Sequence, residues 1–306
     1  MRAKKVLVVG ASGQVGRSCM AAFGKAGWET VGTFHANPGP GLIPLDLWEP
    51  DALRTAVREI KPSVCIISSA FTNVDGCEEA PERARAMNTV APGILAEACR
   101  EVGARPVHLS TEYVFDGTQG PYAETDPVCP ISVYGQTKLE GERAVVAAAP
   151  DVIVARTTVV YSHDPQGKNF VMQLISRLGR GESMRVPRDQ VSSPTYAPGL
   201  GEALRCLVER GYTGIVNVVG PEVMDRFAFA TLAARILGLR EDLLEPVSTA
   251  SLSQKAARPL QAGLKAERLR HAIGSILELP ADGLGDVARR AGRPLTRDAT
   301  TTTYRT

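Results

Sequence analysis

Tyr134 and Lys138 stand four positions apart in a segment, Tyr134 to Ala149, that reads as a helix closed by Pro150. At that spacing both side chains lie on one helix face. A free tyrosine, with a pKa of about 10, is a poor acid–base catalyst at neutral pH. A lysine ammonium beside it favours the phenolate and lowers that pKa, so the pair can pass a proton to a carbonyl oxygen. Tyr-x-x-x-Lys also occurs on exposed helices as a packed tyrosine beside a solvated lysine, so the surroundings decide its meaning. Ser110 and Thr111 fall at the carboxyl end of a strand that starts at Pro106. A hydroxyl there can hydrogen-bond a substrate oxygen and steady the charge developing on it. Thr111 is assigned that task, and Ser110 is left to satisfy backbone groups. Asn88 is a poor helix former midway along a long helix, placed to hold a water or a backbone group that links to Lys138.

Gly10, Gly13 and Gly16 form Gly-x-x-Gly-x-x-Gly between an apolar run, Val6 to Val9, and a helical stretch ending at Lys25. Glycine at such a turn lets the backbone approach a diphosphate, and glycine on the helix lets helix and strand pack closely. The anion then sits at the helix N-terminus, where free N–H groups and the dipole favour negative charge. Three glycines alone mark only turns, but the strand–turn–helix context makes them a dinucleotide fingerprint. Ser12, Gln14 and Val15 complete the expected lining. Ser69 and Ala70 follow a buried strand, on the edge where such sheets bind ligands. Asp46 is placed to accept from an adenine amino group or to cap the turn after it, with Leu47 beside it. The second strand ends Thr33-Phe34-His35 with neither an acid for a ribose hydroxyl nor an arginine for a 2′-phosphate. The cofactor reading therefore leans to NADPH, with His35 or Asn37 as phosphate contacts, and leaves NADH open. Lys138 is also assigned to the cofactor, holding its nicotinamide ribose.

These residues need a scaffold, and strands alternating with helices over the first two-thirds supply one. The pattern predicts an α/β fold, a Rossmann-type doubly wound parallel sheet with a smaller carboxyl-terminal α/β substrate portion. Expected strands include Leu42 to Leu47 and Val64 to Ser68; a single amphipathic helix is expected over Pro81 to Arg100. The turn-rich stretch between Asp116 and Pro130 reads as a functional or disordered loop. After Thr157 the alternation is lost. Residues 1–157 are read as the dinucleotide domain, with segments able to return to it after residue 190, 158–292 as the interleaved substrate portion, and 293–306 as a frayed tail. The 35 basic residues nearly balance 33 acidic ones, which gives no electrostatic case for nucleic acid. No stretch approaches the roughly 20 apolar residues of a membrane span. Six scattered cysteines, with no Cys-x-x-Cys pair and no histidine cluster, argue for reduced thiols, no metal site and a cytoplasmic setting.

With these segments in place the chain resembles extended short-chain dehydrogenases/reductases, most closely the dTDP-4-dehydrorhamnose reductase family. The resemblance is carried by VLVVGASGQVG, by STEYVFDG, PYAETD and YGQTKLEGE between Leu109 and Glu142, by GKNFV and by DQVSSPTYAPGL. It implies a Rossmann domain, a nucleotide-sugar substrate, reduction of its 4-keto group through Thr111, Tyr134 and Lys138, and a homodimer. It also implies substrate contacts at Thr72, Asn88, Asn169, Ser193, Thr195 and Arg258, the arginine suiting a diphosphate through its planar fork. Two departures stand out. Glu112 occupies a place usually held by aspartate, and Val159 one commonly held by tryptophan, which removes stacking surface for a sugar. Two other readings stay open. One is a dinucleotide-binding regulatory subunit resembling the β subunit of methionine adenosyltransferase, which also lacks that tryptophan. The other is a nucleotide-sugar epimerase or dehydratase that returns the hydride to its substrate. The intact Tyr–Lys–Thr set favours the reductase.

Overall fold

A computed structural model of the chain describes residues 4–274 and 277–293. Its first elements are β1 (Lys5–Val9), α1 (Gln14–Lys25), β2 (Glu29–Phe34), β3 (Ile43–Pro44), α2 (Pro50–Ile60) and β4 (Val64–Ile67). Next come α3 (Val74–Glu79), α4 (Pro81–Arg85), α5 (Ala91–Val102), β5 (Arg105–Thr111), α6 (Val133–Ala148) and β6 (Ile153–Thr157). The remainder includes β7 (Val160–Tyr161), α7 (Phe170–Gly179), β8 (Met184–Pro187), β9 (Val191–Ser192), β10 (Thr195–Tyr196), α8 (Ala197–Glu209) and β11 (Gly214–Asn217). It closes with β12 (Met224–Asp225), α9 (Arg226–Ile236), β13 (Leu244–Val247), α10 (Glu267–Ile273) and α11 (Pro280–Arg290).

Seven parallel strands form one sheet in the order β11-β6-β5-β4-β1-β2-β3. The apolar runs of β1 and β4 are buried throughout because helices cover both faces. Phe23 and Cys19 of α1 join Leu200, Leu204 and Leu207 of α8 on one face; Leu53 and Val57 of α2 join Leu95 and Cys99 of α5 on the other. The strand order reverses between β1 and β4, so the crevice at their carboxyl ends is where such a sheet takes a ligand. β3 is two residues, shorter than the expected Leu42–Leu47 strand, since Asp46 already bends the chain by accepting from Trp48 N–H at 2.9 Å.

One expectation needs correction and another takes definite form. Residues 158–292 are expected to be interleaved with the first part, and β11 is such a returning segment: it is the seventh strand of the main sheet, paired with β6, and α8 packs on α1. An ideal Cβ on Gly201 would sit 2.7 Å from the Ser18 backbone, so α8 and α1 cross in near contact. The helix over Pro81–Arg100 is not uniform: Ala86–Val90 is a π-helical turn between α4 and α5. Pro92 explains it, because its ring nitrogen cannot donate to the carbonyl four residues back, that of Asn88, and the ring crowds it. Gly141 of α6 then fits against the widened turn; a Cβ there would lie 2.1 Å from the Asn88 carbonyl oxygen.

A second core gathers Leu174 of α7, Phe229 and Ala233 of α9, Leu284 and Val287 of α11, and Val186 of β8. The loop before α6 is held by packing within it and by a distant segment. Phe115 and Tyr122 stack at 4.3 Å, and Tyr122 backbone groups bond Gly263 and Lys265. Of the tail expected over 293–306, all but Arg293 lies outside the described residues. No helix among the described residues is long and apolar enough to cross a membrane.

Candidate active site

Two cavities, of about 440 and 350 Å³, adjoin at the carboxyl edge of the sheet and share Gln14, Val15, Ser68, Ala70, Thr72 and Val160 in their walls. Gly10, Ser12, Gly13, Gly16, Ser69 and Asn169 line the larger with His35, Ala36 and Asn37. Thr111, Tyr134 and Lys138 line the smaller with Glu112 and Arg226.

The glycine turn is built to be bare. Gly10 has φ +89°, and a Cβ on it would lie 2.9 Å from Ser69 N; one on Gly16 would lie 2.2 Å from the Gly10 carbonyl oxygen. Gly16→Ala is therefore expected to displace the turn and weaken dinucleotide binding at least about tenfold, a loss of about 1.4 kcal/mol. A fluorescence titration with NADPH checks this, and an unchanged Kd would show that the turn yields. Residues 160–169 strap this turn from the other side. Gln14 donates to the Val160 carbonyl at 2.8 Å, Gln166 to the Ser12 carbonyl at 2.7 Å, and Arg17 pairs with Asp164 at 2.5 Å. Asn169 caps α7, accepting from Met172 N–H, and donates to Gln14 at 3.0 Å.

β5 and α6 bring Thr111, Tyr134 and Lys138 to one cavity wall. Ser132 caps α6, accepting from Gly135 N–H at 3.2 Å, which fixes the first turn carrying Tyr134. Tyr113 stands edge-on to Tyr134, centroids 5.3 Å apart. Burial raises the Tyr134 phenol above its usual value, and a hydrogen bond with Thr111 pulls the other way. The expected lowering by Lys138 is not what this geometry produces. Lys138 Nζ donates to the Leu109 carbonyl at 2.5 Å and lies 3.4 Å from His108 Nε2, facing β5. Desolvation lowers Lys138 to about 8, and Glu142 resists that shift. Activity that needs the ammonium is therefore expected to fall as pH rises through about 8, well below an ordinary lysine.

Several expected ligand contacts have other employment. Asp46 is exposed, accepts from Trp48 N–H and lies 3.5 Å from His35 Nδ1, while the Leu47 side chain is core; neither lines a cavity wall. Asn88 is fully buried, bonding both backbone groups of Phe71 and the hydroxyl of Thr137, so it clamps the π-turn and reaches no cavity. Ser193 holds the Leu264 backbone, and Thr195 joins the Ser193 carbonyl to Gly220 N–H. Both are fully buried ties between segments. Arg258 pairs with Asp75 at 3.0 Å, leaving Nη1 buried without a partner. Thr72 is exposed on the shared wall. Val159 lines the smaller cavity with φ +40°, a costly conformation for a β-branched residue.

The sequence reading missed Arg226, whose guanidinium lies 5.0 Å over the Phe170 ring at the cavity wall, and the buried pair beneath Lys138. There Arg156 grips Glu142 through two bonds of 2.9 and 2.7 Å, and Ser110 donates to the same carboxylate. A Glu on a helix and an Arg on the strand after it carry no local signal until α6 and β6 pack.

Comparisons with known proteins agree with this geometry. The RmlD substrate binding domain family matches residues 4–291. A dTDP-4-dehydrorhamnose reductase of Mycobacterium tuberculosis is 34% identical, covering 97% of this chain and 99% of its own. The chain belongs to the dTDP-4-dehydrorhamnose reductase family. Among solved structures, a reductase of that name from Clostridium acetobutylicum superposes with a TM-score of 0.86 at 31% identity, over 94% of this chain and 99% of its own. Another family member, from Bacillus anthracis, was solved in complex with NADP, with a TM-score of 0.86 at 27% identity and the same two coverages. The cradle in this member fits such a group, because its bare glycine backbone leaves room where a Cβ would collide. All six cysteines are free thiols.

Proposed function

We propose that the chain is an NAD(P)H-dependent oxidoreductase that reduces a keto group on a nucleotide-activated sugar of the dTDP-4-dehydrorhamnose type. The observation that carries this reading is the meeting of Thr111, Tyr134 and Lys138 in a cavity that opens onto the glycine-rich cleft. Gly10, Ser12, Gly13, Gln14, Val15 and Gly16 would hold the dinucleotide diphosphate, Ser69 and Ala70 its inner edge, and Lys138 its ribose. Bound in reduced form, the dinucleotide supplies the hydride. Thr111 orients the ketone oxygen, and Tyr134 hands it a proton from its phenol. Burial keeps that phenol protonated, which suits a donor. Lys138 holds its charge beside the nascent alkoxide with Glu142 steadying it.

Residues 1–157, with α8 and β11 returning to the sheet, form the dinucleotide part of this reading, and 158–292 the part that takes the sugar nucleotide. Arg226 and Arg258 replace the buried Asn88, Ser193 and Thr195 as contacts for its anionic end, since each has a buried nitrogen without a partner. The wall beyond β2 presents His35, Ala36 and Asn37 and no carboxylate, which favours NADPH over NADH.

The test is loss of absorbance at 340 nm with NADPH, then NADH, against nucleotide 4-keto sugars including dTDP-4-dehydrorhamnose. Oxidation with a lower KM for NADPH is expected. Dinucleotide binding with every ketone silent would overturn the reductase reading in favour of the partner-binding one.

A further inference from the structure

Hydride transfer to a ketone employs Thr111, Tyr134 and Lys138 and leaves one carboxyl of the 350 Å³ cavity without a task. Glu112 is the sole carboxyl among the described residues of that wall. It is 5% exposed, and its Oε2 is buried with no hydrogen-bond partner. Folding removes or pairs such groups, because an unpaired buried carboxyl loses its hydration and gains nothing in return. A glutamate that spends one oxygen at most on Thr158 and keeps Oε2 buried and unpaired is placed for a ligand. Thr157 Oγ1 and Arg226 Nε are orphaned on the same wall, so the cavity offers unspent hydrogen-bonding capacity around the ring that Thr111 would hold.

Glu112 follows Thr111 in the chain, at the start of a short 3₁₀ turn, and both line the cavity. Its charge is also felt at the Tyr134 phenol. A carboxyl so placed faces the substrate beside the carbonyl that Thr111 and Tyr134 polarise. That polarisation acidifies the C–H bonds on the neighbouring carbons.

We propose that Glu112 is a second acid–base group of this cavity, which removes and returns a proton on the carbon next to the substrate's ketone. The proposal rests on the ketoreductase reading and adds an enolisation to it. In the step, the Glu112 carboxylate takes the α-proton, the C–H pair becomes a C=C bond, and the carbonyl π pair moves to oxygen, which receives the Tyr134 proton. The reverse returns one proton to carbon and one to Tyr134, so nothing is oxidised or reduced. A proton exchanged at Glu112 before its return leaves a solvent label on the carbon, and return to the opposite face inverts that centre.

Three groups bear on the pH response. Burial pushes Glu112 up to about 8, while Thr158 and the Arg226 guanidinium act against that rise. The Tyr134 phenol, raised above its usual range, stays protonated throughout. Exchange needs the Glu112 carboxylate, so its rate climbs as pH approaches about 8, and it falls above that where Lys138, lowered to about 8 by burial, loses its ammonium.

The experiment incubates the full chain with dTDP-4-dehydrorhamnose and oxidised NADP in D₂O, and follows mass gain in the nucleotide sugar against a protein-free control. NADPH oxidation with the same ketone is measured in parallel, and NADPH binding is measured for every variant to confirm folding. Enzyme-dependent deuterium uptake is expected, slowed about 100-fold or more in Glu112→Gln and retained in part by Glu112→Asp, which keeps a carboxyl. Uptake at the control rate with reduction intact would overturn the proposal and leave the reductase standing. Equal uptake in wild type and Glu112→Gln would also overturn it. Absence of both uptake and reduction would remove the reductase reading and this one with it.

Discussion

Tyr134→Phe is expected to lower turnover about 10²–10⁴-fold, the usual range for loss of a positioned general acid, while NADPH binding stays nearly unchanged. Phenylalanine keeps the ring that packs edge-on to Tyr113 and removes only the hydroxyl that meets Thr111. The structural cost is that of one lost hydrogen bond, about 1 kcal/mol, too little to unfold a domain of this size. Steady-state kinetics with a nucleotide 4-keto sugar, beside a fluorescence titration with NADPH, separates the two effects. Turnover within a few-fold of wild type would take Tyr134 out of the reaction and leave Glu112 as the candidate proton donor in the same cavity.

The largest loss of stability is expected at Glu142→Ala. Arg156 and Glu142 are each at most 3% exposed and bind through two hydrogen bonds, with Ser110 donating a third to the carboxylate. Such a pair gains little over an apolar replacement of both partners. Removing one leaves a buried charge unmatched, at a cost of about 3–5 kcal/mol. The remaining contacts of Arg156, its stacking 5.1 Å over Phe115 and a 3.4 Å bond to the Glu124 carbonyl, cannot neutralise it. A thermal melt should show a fall of several degrees. A second readout follows from the position of Glu142 beside Lys138, whose ammonium it stabilises. Without it the lysine loses its proton at lower pH, so the alkaline limb of the rate profile should move below about 8. A Tm within one degree of wild type would mean that the guanidinium finds water or another acid.

How much of this was legible beforehand differs between the scaffold and the site. Buried runs such as Val6–Val9 and Val64–Ile67, and the glycine spacing at positions 10, 13 and 16, are local signals, and each maps onto the strand and turn where it was expected. Tyr134 and Lys138 share a helix face by spacing alone. The direction in which Lys138 points was not local: its ammonium turns to the Leu109 carbonyl and His108 because β5 runs beneath α6. Asn88, a poor helix former, reads as holding a water or a backbone group that links to Lys138, and the family resemblance makes it a substrate contact. Its true partners, Phe71 and Thr137, lie 17 and 49 positions away. Pro92, which opens the π-turn around Asn88, is visible in the sequence as a missing donor.

By itself, then, the sequence determined the alternation of strands and helices, the bare diphosphate turn and the Tyr–Lys spacing, all of which depend on residues within a few positions of one another. Tertiary structure alone decided that β11 closes the sheet, that Arg156 meets Glu142 under the lysine, and that Glu112 Oε2 stands unpaired in the cavity wall. The physical reason is that burial and pairing set the charge on an acid or a lysine. Both are properties of neighbours brought together from distant parts of the chain, and no spacing rule within one segment encodes them.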